Sequence, residues 1–427
     1  MTASTRRRAV VLVGGPANPY SRATRIGRTL VAAGYDVEIA AMTEAGAPIE
    51  QRDGEILIRR YAPSGVFRSL APTYRWTAPD GSAARAPLPI RVLRTLRARA
   101  IAWWLWPHTV RGWWHTLARD LEPADLYHAC GVLPIAAALA ARDRDRRAGR
   151  PSKVIHDVID VTMASNNVIG MPAPVRRFLE RRERGWARRA DAHIAVNQPF
   201  ADRVAASWGL STVPVVVPNY PEPVSLPEPP PDRIRSALDL PVSTRIALFW
   251  GRLGPNLGLD EIAEAVLRVP DVALVLIGFG RGWERSVAQD ADPRFKGRHY
   301  TLPAVHPDEL ASWAASADVA LVTLPPVSYN QRYTTPNKFL EAMAAGVPMV
   351  LGPDLPTMEG ILRSEELGRV ARSMDPHDIA SAIAEILALP DDERRAWRSR
   401  IAATGRERYS WPAAAAAYRR VLDDLAG

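Results

Sequence analysis

Cysteine is almost absent from this chain of 427 residues; Cys130 is the single one. That excludes an intramolecular disulfide and any multi-thiolate metal centre, and it fits a reducing compartment. Long apolar runs are missing too: none approaches the roughly eighteen residues a membrane-spanning helix needs. Arg6 to Arg8 followed by Ala9 to Val13 superficially resemble a secretory leader, but the run is short and ends in Gly14-Gly15-Pro16. It reads as a first strand and its turn, so a cytoplasmic protein is expected. No serine, nor Cys130, stands in a recognisable nucleophile triad, and no nucleic-acid motif is present.

What the chain has is size, apolar content and positive charge. A length of 427 residues predicts two or three domains, and 47% hydrophobic residues are ample for packed cores. The net charge of +9 draws it towards acidic surfaces or phosphorylated ligands. In the first half, short β-branched runs (Ala9 to Val13, Val37 to Ala41, Ile56 to Arg60, Leu126 to His128, Lys153 to Asp157, Ala192 to Val196, Val213 to Val217) alternate with helical patterns. This predicts a mostly parallel sheet covered on both faces, with ligands beyond the carboxyl ends of its strands. Gly14, Gly15, His128 and Asp157 fall there.

Residues 218–232 are proline-rich, PNYPEPVSLPEPPPD, and read as a linker. Domains are therefore expected over 1–217 and 233–405, with a terminal helix over 406–427 packing back towards the first. The second half repeats the alternation: strands at Arg245 to Trp250, Val272 to Ile277 and Val319 to Leu324, and helices at Leu259 to Arg268 and Asp308 to Ala317. Gly251-Arg252 and Gly278-Phe279-Gly280 follow strands. A charged side chain at a strand's carboxyl end needs a reason, and a guanidinium matches phosphate oxygens.

The densest stretch is Thr334 to Leu351, TTPNKFLEAMAAGVPMVL. Thr335 as N-cap, Pro336 in the first turn, helical spacing of Phe339, Leu340, Met343 and Ala344, and Gly346 as a left-handed stop predict a helix followed by a buried strand. Lys338 stands in its first turn, where the macrodipole disfavours a cation unless an anion meets it. A phosphate there would take N–H groups around Asn337 and Lys338. Glu341, one turn on, suits a ribose diol. An ordinary Lys338–Glu341 surface pair is the other reading.

Leu88 to Arg119 differs in kind. It holds six arginines, no acid, and five of the thirteen tryptophans. Ile90, Leu93, Arg94, Arg97, Ile101 and Trp104 fit a helical spacing with apolar and basic faces until Pro107; with Trp103, Trp106, Trp113 and Trp114 this predicts a helix in an anionic membrane interface. The alternative is a basic helix burying its tryptophans in the domain core.

Taken in order, Asp125-Leu126-Tyr127-His128, the strand at Asp157, Val217-Pro218-Asn219-Tyr220, Gly251-Arg252-Leu253, Gly278-Phe279-Gly280 and Pro336-Asn337-Lys338 through Glu341 resemble the retaining GT-B glycosyltransferases of family 4, in a Pro-Asn-Lys subgroup. The resemblance implies an α/β GT-B fold, two doubly wound Rossmann-like domains facing each other across a cleft. It implies a nucleotide-sugar donor held by Arg252, Lys338, Glu341, Asn337, Pro336, Gly251, Gly278 and Gly280. His128 would lie near the anomeric carbon, and Gly14, Gly15 and Asp157 would border the acceptor. No cofactor and no metal are expected, because two cations and a helix end can neutralise the leaving diphosphate. The sequence departs from many relatives in having Tyr333 eight positions before Glu341, where they carry an acid, and Leu257 and its neighbours in the loop after Arg252, where they carry a lysine that the subgroup moves to position 338; close relatives often show Asp-Ala-His-Glu where this chain has Asp157-Val158-Ile159-Asp160.

The expected activity is thus sugar transfer to a hydroxyl acceptor, a lipid-linked or polysaccharide precursor, by a peripheral protein on the inner face of the plasma membrane. A soluble natural-product acceptor, a GT-B nucleotide-sugar epimerase, and a non-catalytic basic protein binding membrane or nucleic acid are the alternatives; no nucleic-acid partner is expected.

Overall fold

The computed structural model describes residues 6–17, 21–44, 46–64 and 111–426. They form two compact α/β units: the chain up to Pro218 together with the chain from Ala415 onward, and Asn219–Ala414 between.

The first unit runs β1 (Arg7–Val13), α1 (Ser21–Ala32), β2 (Tyr35–Met42), β3 (Glu50–Asp53), β4 (Ile56–Tyr61), α2 (residues 111–120), β5 (Leu126–Cys130), α3 (Val132–Arg147), β6 (Lys153–Val158), α4 (Ala173–Ala187), β7 (Ala192–Ala195), α5 (Gln198–Trp208) and β8 (Val215–Val216). Its sheet has the order β3-β4-β2-β1-β5-β6-β7-β8. All neighbours pair in parallel except β3 with β4, where Gln51 faces Ile58. β3 escapes the sequence pattern because Glu-Gln-Arg-Asp has no apolar alternation; it is an edge strand whose side chains are mostly exposed. Ala9 to Leu12 in β1 are wholly buried, as expected of a central parallel strand covered on both faces. The strand order reverses between β1 and β5, so the loops after Val13 and Cys130 flank the crevice where such sheets bind ligands.

The second unit runs α6 (Arg233–Leu238), β9 (Arg245–Arg252), α7 (Leu259–Leu267), β10 (Val272–Phe279), α8 (Trp283–Asp290), β11 (His299–Pro303), α9 (Pro307–Ala315), β12 (Val319–Val322), α10 (Tyr329–Tyr333), α11 (Asn337–Ala344), β13 (Met349–Leu351), α12 (Pro356–Ser364), β14 (Gly368–Val370), α13 (Pro376–Leu387) and α14 (Asp391–Arg408). The last helix, α15 (Trp411–Ala426), carries the chain back into the first unit. The second sheet, β11-β10-β9-β12-β13-β14, is parallel throughout.

Two expectations change at this level. The proline-rich segment packs with the second unit: Tyr220 and Leu226 lie against its core, Tyr220 meets Tyr409 edge-on at 5.3 Å, and the Pro221 carbonyl accepts the Trp411 N–H at 2.7 Å. Apolar side chains between the prolines supply the anchoring. Trp113 and Trp114, expected at a membrane, belong to α2 and face inward. Trp113 is wholly buried with Leu117 and Leu121. Half-buried Trp114 donates to the Leu133 carbonyl and packs edge-on against Trp186. The core takes them because residues 113, 117 and 121 recur one helical turn apart. Arg94, Arg97, Trp103, Trp104 and Trp106 lie outside the described residues.

Candidate functional site

In the second unit, β9 and α11 bring four sequence-selected residues together. Arg252, the last residue of β9, is exposed at the carboxyl edge of the sheet. Helix α11 starts at Asn337 with Pro336 as its N-cap, one residue later than expected, and no side chain caps it. Its apolar stripe of Phe339, Leu340, Ala342, Met343 and Ala344 is buried, and Gly346 ends it with φ 66°. That leaves Asn337, Lys338 and Glu341 on the outer side. Asn337 accepts a hydrogen bond from the Asn219 amide at 2.8 Å, which ties the segment entering the unit to the helix start.

Lys338 is half-buried, its Nζ 3.4 Å from the centre of the Phe249 ring. Burial pushes its ammonium down to about 7; Glu341 opposes the shift and Arg252 adds to it. A cation is therefore held at the positive end of a helix dipole, beside a second cation, in a partly dry place. Glu341 accepts the indole N–H of Trp250 at 2.7 Å, which orients its carboxylate. An anion between Arg252 and Lys338 would relieve both cations, and Glu341 would offer an acceptor to hydroxyl groups about one turn away.

The glycines have a backbone role. A Cβ on Gly278 would lie 1.9 Å from the Gly251 carbonyl oxygen, and one on Gly280 would lie 2.5 Å from that of Leu253. The loops after β9 and β10 interlock through this contact, with Leu253 donating to Phe279 at 2.6 Å and Gly282 to Leu253 at 3.1 Å. Gly251 has φ 104°, which a side chain would strain. These glycines set the strand end from which Arg252 projects.

The first unit corrects the sequence reading. His128 and Asp157 are wholly buried. Both Asp157 oxygens take the Arg22 guanidinium, at 2.7 and 2.8 Å. The His128 ring bonds the Tyr418 hydroxyl at 3.0 Å and Asp157 at 3.2 Å. Burial raises the Asp157 carboxyl, but Arg22 and His128 outweigh it and hold it at about 2. Arg22 also donates to the Val217 and Pro218 carbonyls, at 3.0 and 3.3 Å. With both nitrogens engaged and no exposed surface, His128 presents no face to a ligand in this structure. His128 and Asp157 are thus interior polar residues that anchor α15 and the last residues before the second unit. Cys130, His128 and Asp157 have ligand atoms within 4.8 Å of one another. His128 and Asp157 are already engaged by Tyr418 and Arg22, and the Arg22 guanidinium occupies both Asp157 oxygens, so the cluster does not fit a metal.

Gly14 is required by close packing, a Cβ there meeting Leu133 at 2.7 Å; Gly15 borders open space. Sequence reasoning gave no role to Phe249 or Trp250, which support Lys338 and Glu341, and named Asn219, which bonds Asn337, only as part of its motif. The Phe249-Trp250 pair immediately before Gly251-Arg252 was the available signal, since large aromatics at a strand's carboxyl end are placed to reach the loops.

Residues 19–220 match the model of a glycosyl transferase 4-like domain, and residues 244–389 that of the glycosyl transferases group 1. A D-inositol 3-phosphate glycosyltransferase of Xylanimonas cellulosilytica is 28% identical over 53% of this chain and 55% of its own. A phosphatidyl-myo-inositol mannosyltransferase of Mycobacterium tuberculosis is 31% identical over 44% of this chain and 49% of its own. The chain thus spans about half the length of the curated relatives it matches. Among solved structures, sucrose-phosphate synthase of Thermosynechococcus elongatus superposes with a TM-score of 0.69 at 18% identity, over 98% of this chain and 99% of that one. An Anabaena protein solved with UDP-glucose gives 0.65 at 14% identity, over 98% and 100%.

Proposed function

The chain is a GT-B protein of the family 4-like glycosyltransferases, and from that premise we propose that it transfers a sugar from a nucleoside-diphosphate sugar to a hydroxyl acceptor with retention at the anomeric carbon. One observation carries this reading: Lys338 and Arg252 concentrate positive charge at the uncapped start of α11, where the ammonium is already pushed down to about 7. A diphosphate is the ligand that relieves it.

In this reading Arg252 and Lys338 hold the diphosphate, and the α11 N–H groups of Asn337 and Lys338 join them. Glu341, oriented by Trp250, accepts from the ribose hydroxyls. As the bond from the anomeric carbon to the phosphate oxygen breaks, its electrons pass to the diphosphate, whose growing charge the two cations stabilise. The acceptor oxygen bonds to the same face of the anomeric carbon, and its proton passes to the departing phosphate oxygen. No protein nucleophile is required. The fixed positive charge supplies what a divalent cation would otherwise bring, so donor binding is proposed to be metal-independent.

The acceptor proposed is a lipid-linked or polysaccharide precursor, met by a peripheral protein on the cytoplasmic membrane face. The relatives named for inositol phosphate and phosphatidyl-inositol support a polyol hydroxyl as the attacking group. No helix among the described residues is long and apolar enough to cross a membrane.

The test is thermal stability with UDP, GDP, ADP and dTDP in excess EDTA, on the wild type and on Arg252→Ala/Lys338→Ala. A nucleotide at 100 times its Kd adds roughly 2.7 kcal/mol. One nucleotide should stabilise the wild type and not the double variant. If none does, with or without magnesium, the donor assignment fails.

A further inference from the structure

The second unit carries another concentration of guanidinium groups, at the opposite end of its sheet. Arg245 opens β9 and Arg252 closes it, seven residues on, so the two lie about 23 Å apart along the strand. Around Arg245 a cavity of about 270 Å³ is lined by Arg235, Arg245, Arg394, Arg395 and Arg398, against Asp232, Asp318 and Asp391. Five cations face three carboxylates.

The carboxylates are shared out. Asp318 takes Arg235 at 2.6 Å and Arg245 at 3.5 Å. Asp391 takes Arg245 at 3.1 Å and also Arg394, and Asp232 takes Arg235 at 3.0 Å. Arg398 has no carboxylate within ion-pair distance among the described residues; it donates to the carbonyls of Ala317 and Ala315 at the end of α9. Burial lowers its pKa; Asp318 opposes this, and Arg235 and Arg394 add to it. Arg395 is exposed on α14 and lines the same cavity. Two of the five charges, those of Arg395 and Arg398, thus have no carboxylate of their own among the described residues; Arg398 is held by the Ala315 and Ala317 carbonyls and Arg235 by those of Thr244 and Ser316, and all three line the same cavity.

We propose that this cavity is a second anion site, taking a phosphate-bearing small molecule as a dianion, separate from the diphosphate site at α11. A dianion balances the two excess charges, guanidinium forks match phosphate oxygens, and Arg245 and Arg395 border the cavity with N–H groups beyond those that hold the fold. Asp391 is the competing anion, its side chain 64% exposed and bridging Arg245 to Arg394.

The test is isothermal titration of pyrophosphate, and separately of inorganic phosphate, into the Arg252→Ala/Lys338→Ala protein, which removes the α11 cations, at fixed ionic strength. One equivalent should bind. Arg395→Glu should weaken binding roughly tenfold, and Asp391→Asn should strengthen it about threefold by removing the competitor. Arg400→Glu, an equal charge change on an exposed α14 residue outside the cavity, should leave the affinity unchanged. Opposite signs for the two cavity variants distinguish a site from general attraction. Absence of binding overturns the proposal, as does equal weakening by Arg395→Glu and Arg400→Glu; the cluster is then a lattice that serves stability alone.

Discussion

Trp250 donates its indole N–H to Glu341 at 2.7 Å, from a strand residue only 2% exposed to a carboxylate on the outer side of α11. The bond fixes which way Glu341 faces without neutralising it, and a carboxylate accepts several hydrogen bonds, in the proposed reading from ribose hydroxyls. Trp250→Phe should therefore weaken a nucleoside diphosphate about threefold to tenfold. It should weaken the matching 2′-deoxynucleotide less. Titration of both nucleotides into both proteins measures the difference; equal losses would show that Glu341 does not meet the ribose.

Lys338 trades stability for charge. Its folded pKa of about 7 lies below the ordinary 10.5, so the fold disfavours the charged form, and its contribution to stability improves as pH rises from 7 towards 10.5. Lys338→Met keeps the stem over Phe249 and drops the ammonium. Unliganded stability at pH 7 should rise by about 1 kcal/mol or more, while nucleotide-induced stabilisation disappears. Denaturant midpoints with and without nucleotide check both halves.

The same shift sets a pH dependence of binding. Only protonated Lys338 meets a diphosphate as a cation. Nucleotide affinity should therefore fall as pH rises through about 7 towards 9, and Lys338→Arg should move that loss to higher pH. Titrations across this range read the slope; a flat profile in the wild type would remove Lys338 from the diphosphate contact.

His128 and Asp157 make a stability prediction. Arg22→Ala leaves Asp157 buried without its counter-ion and should cost about 3 to 5 kcal/mol. Tyr418→Phe removes one hydrogen bond to His128 and should cost about 1 kcal/mol. Turnover per folded molecule should stay within about twofold for Tyr418→Phe. A hundredfold fall in kcat without loss of stability would restore His128 to the reaction.

His156 supplies an acid limit. Burial first, then the neighbouring His193, pushes its imidazole down to about 3, and its ring stacks on Trp208 at 5.1 Å. The folded pKa lies below the unfolded one, so stability present above about pH 6.5 is lost as pH falls towards 3, at up to about 1.4 kcal/mol per pH unit. His156→Phe should flatten this slope in urea titrations at pH 4 to 7.

Apolar runs made the parallel strands legible. β9 and β10 are nearly continuous hydrophobic segments because both faces of their sheet are covered. Arg252 and Lys338 drew attention because a cation at a strand's carboxyl end or at a helix start needs something to answer it, and Glu341 because it lies one turn on from Lys338. β3, β11, β14, α6, α8, α10, α12, α13 and α14 were not assigned. Several are short or polar, and β3 exists only because β4 offers it an edge. The tryptophans of α2 illustrate the limit of composition: the same spacing suits a membrane face or a core, and contact with Leu117 and Leu121 decides it.

By itself the sequence determined the α/β alternation and the gathering of positive charge at the start of α11, because periodicity and misplaced charge are local properties of a chain. Only the tertiary structure decided that His128 and Asp157 belong to the interior. Their partners, Arg22 and Tyr418, stand 135 and 290 residues from Asp157 and His128, and a side chain's exposure depends on what distant segments bring to it.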